Sequence, residues 1–218
     1  MGETRGALTA WAITALAAAA AAACAVERLG RRSGATRGEA RMPLPGDDIV
    51  PKPRWASTRA FTIDAPADEV WPWVVQMGFP PHRAGWYTPH WLDVAMWGDR
   101  PRSADRIVPQ LQDLKAGDTV PDSEDYSVYY DVLEVEAPHH LLLHSTRHVF
   151  PPIGSSDFSW AFVLLPTLEG GTRLVIRARV TDSPLWAFPI VDGLIGLGDW
   201  VNVSVMFRGI RDRVLAAR

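Results

Sequence analysis

A single cysteine, Cys24, stands in 218 residues, so no internal disulfide, CxxC redox pair or multi-cysteine zinc cluster can form. Lysine is nearly missing as well: Lys52 and Lys115 are the only two, and arginine supplies the rest of the 22 basic residues. The formal net charge is −3, which leaves no global basic field to gather phosphate backbones, and nucleic-acid binding is disfavoured. There is no GxGxxG after a strand and no P-loop, GxSxG or HExxH, which removes the dinucleotide, nucleotide, hydrolase and zincin signatures. No internal repeat is visible. What is abundant is tryptophan, with ten residues in a chain that is 47% hydrophobic and 22% charged. That composition suits one folded domain with one appendage.

From Ala7 to Val26 run 20 residues without a charge, about the length an α-helix needs to cross a hydrocarbon core. Most are alanine. Only Leu8, Ile13, Leu16 and Val26 insert strongly, at roughly −0.3 to −0.6 kcal/mol each. Arg28, Arg31, Arg32, Arg37 and Arg41 follow the run, against Arg5 before it, so the positive-inside rule keeps the C-terminal side in the cytoplasm. Residues 1–42 therefore read as a single-pass membrane anchor with a basic flank. The open alternative is a signal peptide cleaved among the small residues Ala21–Ala25, with export of the remainder. A lipoprotein at Cys24 is disfavoured by Ala21, where a bulkier aliphatic residue is expected. Residues 43–54, with Pro43, Pro45, Gly46, Pro51 and Pro53, show no periodicity and read as a linker. The folded domain is expected over 55–218, with a net charge of about −6.

Within that domain, Thr58, Ala60 and Thr62 alternate with Arg59, Phe61 and Ile63 as a first strand. A helix should follow, with Asp64 as its cap, Pro66 in its first turn, and Asp68 and Glu69 at the positive end of its dipole. Val70, Val74 and Met77, with Trp73 alongside, form its buried stripe; Pro72 bends it and Gly78 stops it. A short helix is expected over Pro89–Trp97. Lys115–Asp118 is a tight turn that launches strands. Strands are expected over Ser127–Val135 and His140–Arg147, then one with Phe158, Trp160, Phe162 and Leu164 on one face. Gly170-Gly171 turns into another carrying Leu174, Ile176, Ala178 and Val180. Opposite these four, Arg173, Arg177 and Arg179 read as a solvated face. Asp199–Ala217 is an amphipathic helix with Trp200, Val203, Phe207, Ile210 and Val214 at helical spacing. Residues 184–198 hold only Asp192 as a charge and are broken by Pro189, Gly193, Gly196 and Gly198. A lid, a shallow membrane contact and a packed crossover loop all suit them.

The order of elements gives an α+β domain: one curved antiparallel sheet wrapped on a long C-terminal helix, plus the N-terminal hydrophobic helix. FTIDAPADEVWPWVVQMG from Phe61, DRIVPQLQDLKAGDTVP from Asp105, SWAFVL from Ser159 and MFRGIRDR from Met206 carry a resemblance over about Trp55 to Arg213. In them the chain resembles the START-like, polyketide-cyclase-like superfamily called SRPBCC, especially its actinobacterial members. The resemblance implies a helix-grip fold with an elongated internal cavity for apolar molecules. It carries no catalytic motif over, because the superfamily has no universal one.

The strongest chemical signal is aromatic. Concave ligand sites are lined mainly by such side chains, and ligand contacts are expected from Trp73, Trp86, Tyr87, Trp91, Tyr130, Trp160, Phe162, Trp200 and Phe207. Trp97 belongs to the same set. Arg106 is placed to fix a carboxylate or carbonyl at a cavity mouth, or simply to pin its loop. Asp131, Arg106, Tyr87 and His148 are the acid–base candidates, although a carboxylate such as Asp131 is expected to point outward unless it is partnered. His140, His144 and His148 are too far apart on a strand, about 13 Å over four residues, to share a metal; no metal and no cofactor are expected. The first functional reading is a membrane-tethered binder of a hydrophobic small molecule such as a lipid, isoprenoid or polyketide-like compound. A cyclase or dehydratase using one cavity acid or base is the alternative, and an interaction adaptor using the sheet face is a third. The oligomeric state stays open.

Overall fold

Strict alternation along the two longest strands builds the centre of the molecule. The computed structural model describes residues 29–147, 155–183 and 188–218, with the single positions Thr14, Ala18, Ala21, Ala22 and Ala25 before them. Most of the N-terminal hydrophobic run, Cys24, His148 and residues 184–187 lie outside the described residues.

The elements in order are β1 (Trp55–Ile63), α1 (Ala67–Val75), α2 (His90–Trp97), a 3-10 turn (Pro109–Leu111), β2 (Thr119–Pro121), β3 (Tyr129–Glu136), β4 (His140–Ser145), β5 (Ser155–Pro166), β6 (Thr172–Ser183) and α3 (Phe188–Ala216). All six strands join one antiparallel sheet in the order β1-β6-β5-β4-β3-β2. α3 packs on α1 and β1, and α1 also packs on β5. A curved sheet closed by a C-terminal helix is the helix-grip arrangement.

The inner layer follows from the period of two. Phe158, Trp160, Phe162 and Leu164 of β5 meet Leu174, Ile176 and Ala178 of β6 and Leu141 and Leu143 of β4; α1 adds Val70, Trp73 and Val74, and α3 adds Val203, Met206, Phe207, Ile210 and Val214. Full burial of each such side chain is worth about 1.5–3 kcal/mol. In β3 a register shift between Val132 and Glu134 adds a residue to the alternation. Tyr130 and Val132 are buried on the inner face, and Val135 rejoins it after the bulge.

Two helical readings change. α1 has no side-chain cap at its start, where Pro66 rather than Asp64 holds the capping position; the backbone N–H groups of Glu69 and Val70 turn to the Pro66 carbonyl. α3 begins eleven residues earlier than its amphipathic stretch, so residues 188–198, read as a broken segment, are helical. Pro189 sits in the first turn, where its missing N–H is no loss, and each glycine costs a helix only about 1 kcal/mol. Among the described residues no helix is long and apolar enough to cross a membrane.

The outer face of the sheet carries a second apolar layer. Ala60, Leu142, Ala161, Val163 and Val175 are covered by Ala35, Met42, Leu44 and Ile49. Residues 31–54 thus form a strap of turns fastened across the sheet. Arg173, Arg177 and Arg179, expected on a solvated face, are its fasteners. Arg177 is 5% exposed; its guanidinium donates to Thr58 Oγ1 (3.0 Å), the Met42 carbonyl (2.9 Å), Asp47 Oδ2 (2.7 Å) and the Glu39 carbonyl (2.9 Å). Arg179 donates to the carbonyls of Val50 and Pro51. The start of the strap also takes the free edge of β1: Thr58 N–H donates to Arg31 O (2.8 Å) and Ala60 N–H to Ser33 O (3.3 Å).

Candidate functional site

β5 turns Phe158, Trp160 and Phe162 inward, β3 places Tyr130 beside them, and the loop after α1 lays Trp86 against both. The five rings form one wall. Ring centroids lie 4.8 Å apart for Trp160 and Phe162, 5.3 Å for Trp160 and Trp86, 5.7 Å for Trp160 and Tyr130, and 6.0 Å for Trp160 and Phe158. Tyr130 lies 5.9 Å from both Trp86 and Phe158. Tilted and edge contacts of this kind add about 0.5–1.5 kcal/mol per pair beyond burial.

Few polar atoms reach this wall. Trp86 Nε1 donates to Asp122 Oδ1 at 2.8 Å. Burial first, and then the negative charges of Asp122 and Asp199, push the Tyr130 phenol well above its ordinary range and keep it protonated. Trp160 is 5% exposed, and its Nε1 is buried without a hydrogen-bond partner. The wall is thus a continuous layer of buried rings with one N–H donor, Trp160 Nε1, left unpaired inside it.

A polar knot supports the wall from α1. Gln76, the C-cap of α1 and fully buried, donates through Nε2 to Tyr87 Oη (2.9 Å) and Arg106 O (3.2 Å). Its Oε1 accepts from Val108 N–H (2.9 Å) and Gln112 Nε2 (3.1 Å). Tyr87 donates its own hydroxyl proton to Trp73 O (2.9 Å). Arg213 lies over the Tyr87 ring at 4.9 Å. Burial pushes the Tyr87 phenol up, and with its proton already placed, Tyr87 acts as a strut. Sequence reading passed over Gln76; its signal is a lone amide inside the otherwise apolar run Trp73-Val74-Val75-Gln76-Met77.

The expected site residues separate into groups. Trp86, Tyr130, Trp160 and Phe162 come together in the wall, joined by Phe158, which the expectation omitted. Trp73 pairs with Tyr87 at 5.9 Å, and Phe207 stacks on Phe61 at 5.6 Å; both pairs pin helices. Trp200 lies elsewhere, beside Leu29, Gly30 and Ser33. Trp91 stands apart from the wall: it is 71% exposed on α2, because the short helix turns Leu92 and Asp93 toward the protein. Arg106 is exposed too, and only its carbonyl is engaged, by Gln76. Asp131 is exposed on β3, as an unpartnered carboxylate should be. His148 lies outside the described residues. His140 and His144 face carboxylates on neighbouring strands, Glu134 at 3.0 Å and Asp157 at 2.7 Å.

No family model matches the chain, and no curated protein is similar to it. Solved structures with a related outline include MLL2253 from Mesorhizobium loti, 16% identical, with 75% of this chain and 99% of that one covered at a TM-score of 0.45. Ms6760 from Mycobacterium smegmatis is 14% identical, with 76% and 90% covered at 0.45. CalU16 from Micromonospora echinospora is 20% identical, with 74% and 84% covered at 0.36. At these values ligand and reaction are left to the site itself.

Proposed function

We propose that this protein binds a hydrophobic small molecule, a lipid, isoprenoid or polyketide-like compound, against the Trp86–Tyr130–Phe158–Trp160–Phe162 wall, next to a membrane to which residues 1–42 tether it. The observation that carries the reading is the buried Nε1 of Trp160, without a partner. A bare buried donor costs about 1–3 kcal/mol, and a phenylalanine at that position would avoid it. An acceptor oxygen on a guest accounts for the indole. Native mass spectrometry of the full-length chain is expected to show a bound apolar molecule carrying such an oxygen. Trp160→Phe keeps an aromatic ring and should weaken retention about tenfold while leaving the unfolding midpoint unchanged or higher. Unchanged affinity in that variant overturns the reading, as does failure to bind any member of a panel of lipids and aromatic polyketides.

The tether is supported by the uncharged Ala7–Val26 run and its arginine flank, and by helical conformation at Thr14, Ala18, Ala21, Ala22 and Ala25. An intact run in the mature protein by mass spectrometry is the expected result; a start near Ala25 would make it a cleaved export signal.

Proton transfer at the same wall is a second reading, favoured by Asp122 and the protonated Tyr130 lying together against the rings. A cyclase or dehydratase working there would lose turnover in Asp122→Asn and keep ligand binding; full turnover removes Asp122. An adaptor using the outer sheet face meets the strap already lying on it.

A further inference from the structure

α3 is apolar on two sides. Val203, Met206, Phe207 and Ile210 enter the core, while Leu197, Val201 and Val205 follow one another at four-residue spacing on the opposite face. Val201 is 39% exposed, and Leu197 and Val205 are half-buried. A helix that is apolar on both sides is ordinarily covered on both. Beside this stripe the N-terminal segment is helical up to Leu29 and Gly30. Leu29 is 78% exposed. Gly30 stands so near Trp200 that a Cβ would come within 2.8 Å of its Cγ, and Leu29, Gly30, Ser33 and Trp200 line a notch of about 310 Å³.

These groups share one end of the sheet. β1 runs from Trp55, opposite Val180, to Ile63, opposite Thr172. The segment after Gly30 runs in the same direction along β1, with Arg31 O accepting from Thr58 N–H and Ser33 O from Ala60 N–H, which puts Leu29 at the Trp55 end. Arg31 lies over the Trp55 ring at 5.6 Å. Phe158 also pairs with Val180, so the first ring of the wall stands at this end too. Asp64, Asp68 and Glu169 are exposed at the far end, about 26 Å away along the strand.

What lies beside the patch follows from the chain that leads to it. The uncharged run ends at Val26, three residues before Leu29, and Arg28, Arg31 and Arg32 surround that point. Apolar side chains ringed by arginines next to a hydrophobic run match an acidic membrane surface: the headgroup layer takes up the apolar groups, the anionic lipids attract the arginines, and tryptophan favours that depth. The carboxylates of the far end are repelled by the same surface. We propose that Leu29, Trp200 and Val201 dock the folded domain onto the anionic leaflet that the N-terminal run crosses, with the Trp55 end of the sheet toward lipid. This rests on the tether proposed for residues 1–42.

The full-length chain with Cys24→Ser is reconstituted in vesicles of mixed phosphatidylcholine and phosphatidylglycerol, and a nitroxide is placed in turn at Val201→Cys, Leu168→Cys and Leu16→Cys. Oxygen collects in lipid and a nickel chelate in water, so their collision rates with the label tell the two apart. The Val201 label is expected to lose nickel access and gain oxygen access, whereas the Leu168 label, on the far β5–β6 turn, keeps nickel access. In vesicles of phosphatidylcholine alone the Val201 label should regain nickel access; equal protection in both overturns the choice of an anionic surface. The Leu16 label reads the tether by itself. Leu16 in lipid with Val201 in water keeps the tether and overturns the docking; Leu16 in water with Val201 in lipid removes the tether and upholds the docking. A Val201 label shielded from both reagents and broadened by a second spin would give the patch to another copy of the chain, and overturns the proposal.

Discussion

Arg173 of β6 holds Glu39 of the strap with two prongs, Nε to Oε1 at 2.7 Å and Nη2 to Oε2 at 3.0 Å. Thr36 completes the arrangement as a reciprocal capping pair, its N–H on Glu39 Oε2 (2.6 Å) and its Oγ1 accepting from Glu39 N–H (3.1 Å). The Arg173 hydrogen bond is the main reason that the Glu39 carboxyl falls from an ordinary 4.5 to about 2. A depressed carboxyl stabilises the fold fully above its unfolded value and loses that contribution as pH falls through its folded value. Protection factors of the amides in residues 34–47, taken against intrinsic exchange at each pH, should therefore fall between pH about 4.5 and about 2. Glu39→Gln should exchange fast there already at neutral pH and lack that step. Unaltered protection down to pH 2 in the wild-type strap would mean that the pair contributes nothing.

Arg177 is the more deeply set fastener, with four acceptors and 5% exposure. Arg177→Ala strips a counter-ion from Asp47 and leaves buried carbonyls bare. The expected loss is about 3 kcal/mol by urea unfolding, the low end for a broken buried pair because Arg179 still reaches Asp47 at 3.3 Å. A loss under about 1 kcal/mol, the level of an exposed pair, would show the strap to be loosely held.

Two glycines of α3 should respond in opposite directions. At Gly209 a Cβ would run into the Tyr87 carbonyl and stand 2.8 Å from Tyr87 Cβ, so Gly209→Ala should cost about 1–3 kcal/mol by overpacking. At Gly198 nothing lies within 4 Å, and alanine should gain up to about 1 kcal/mol of helix propensity. Thermal unfolding of both variants reads the pair; equal shifts would contradict this placement of α3.

Gln76→Ala should cost about 2–4 kcal/mol, since the Val108 N–H and its neighbours lose their partner in a buried site. Hydrogen exchange should rise first over residues 105–112, the loop that Gln76 ties to α1. Uniform exchange across the domain would instead make Gln76 part of the global core.

Local pattern was enough to read five of the six strands; the three-residue β2 fell within residues 105–121, read as a loop or short turn. Alternation at Phe158–Leu164 and Leu174–Ala178, with the Gly170-Gly171 turn between them, announces the β5–β6 hairpin in a few adjacent residues. Four wall rings were legible because they sit on strands or beside a turn of evident type. Residues 31–54 gave no such signal: their partners Arg173, Arg177 and Arg179 lie about 130 positions away, and three arginines on alternate positions look the same whether water or a strap covers them. The first half of α3 was hidden by Gly193, Gly196 and Gly198, whose weak propensity is overridden by helix continuation. The exposure of Trp91 and Arg106 was not legible, because composition does not say which way a short helix or a loop is turned.

The sheet has almost no open rim. One border, β1, has two of its outward N–H groups, those of Thr58 and Ala60, taken by Arg31 and Ser33, and the other, β2, runs for only three residues and closes on a proline. Growth by strand addition, the usual road to fibres and swapped oligomers, is therefore blunted at both margins. A neighbouring strand would find few bare groups to pair with at either border.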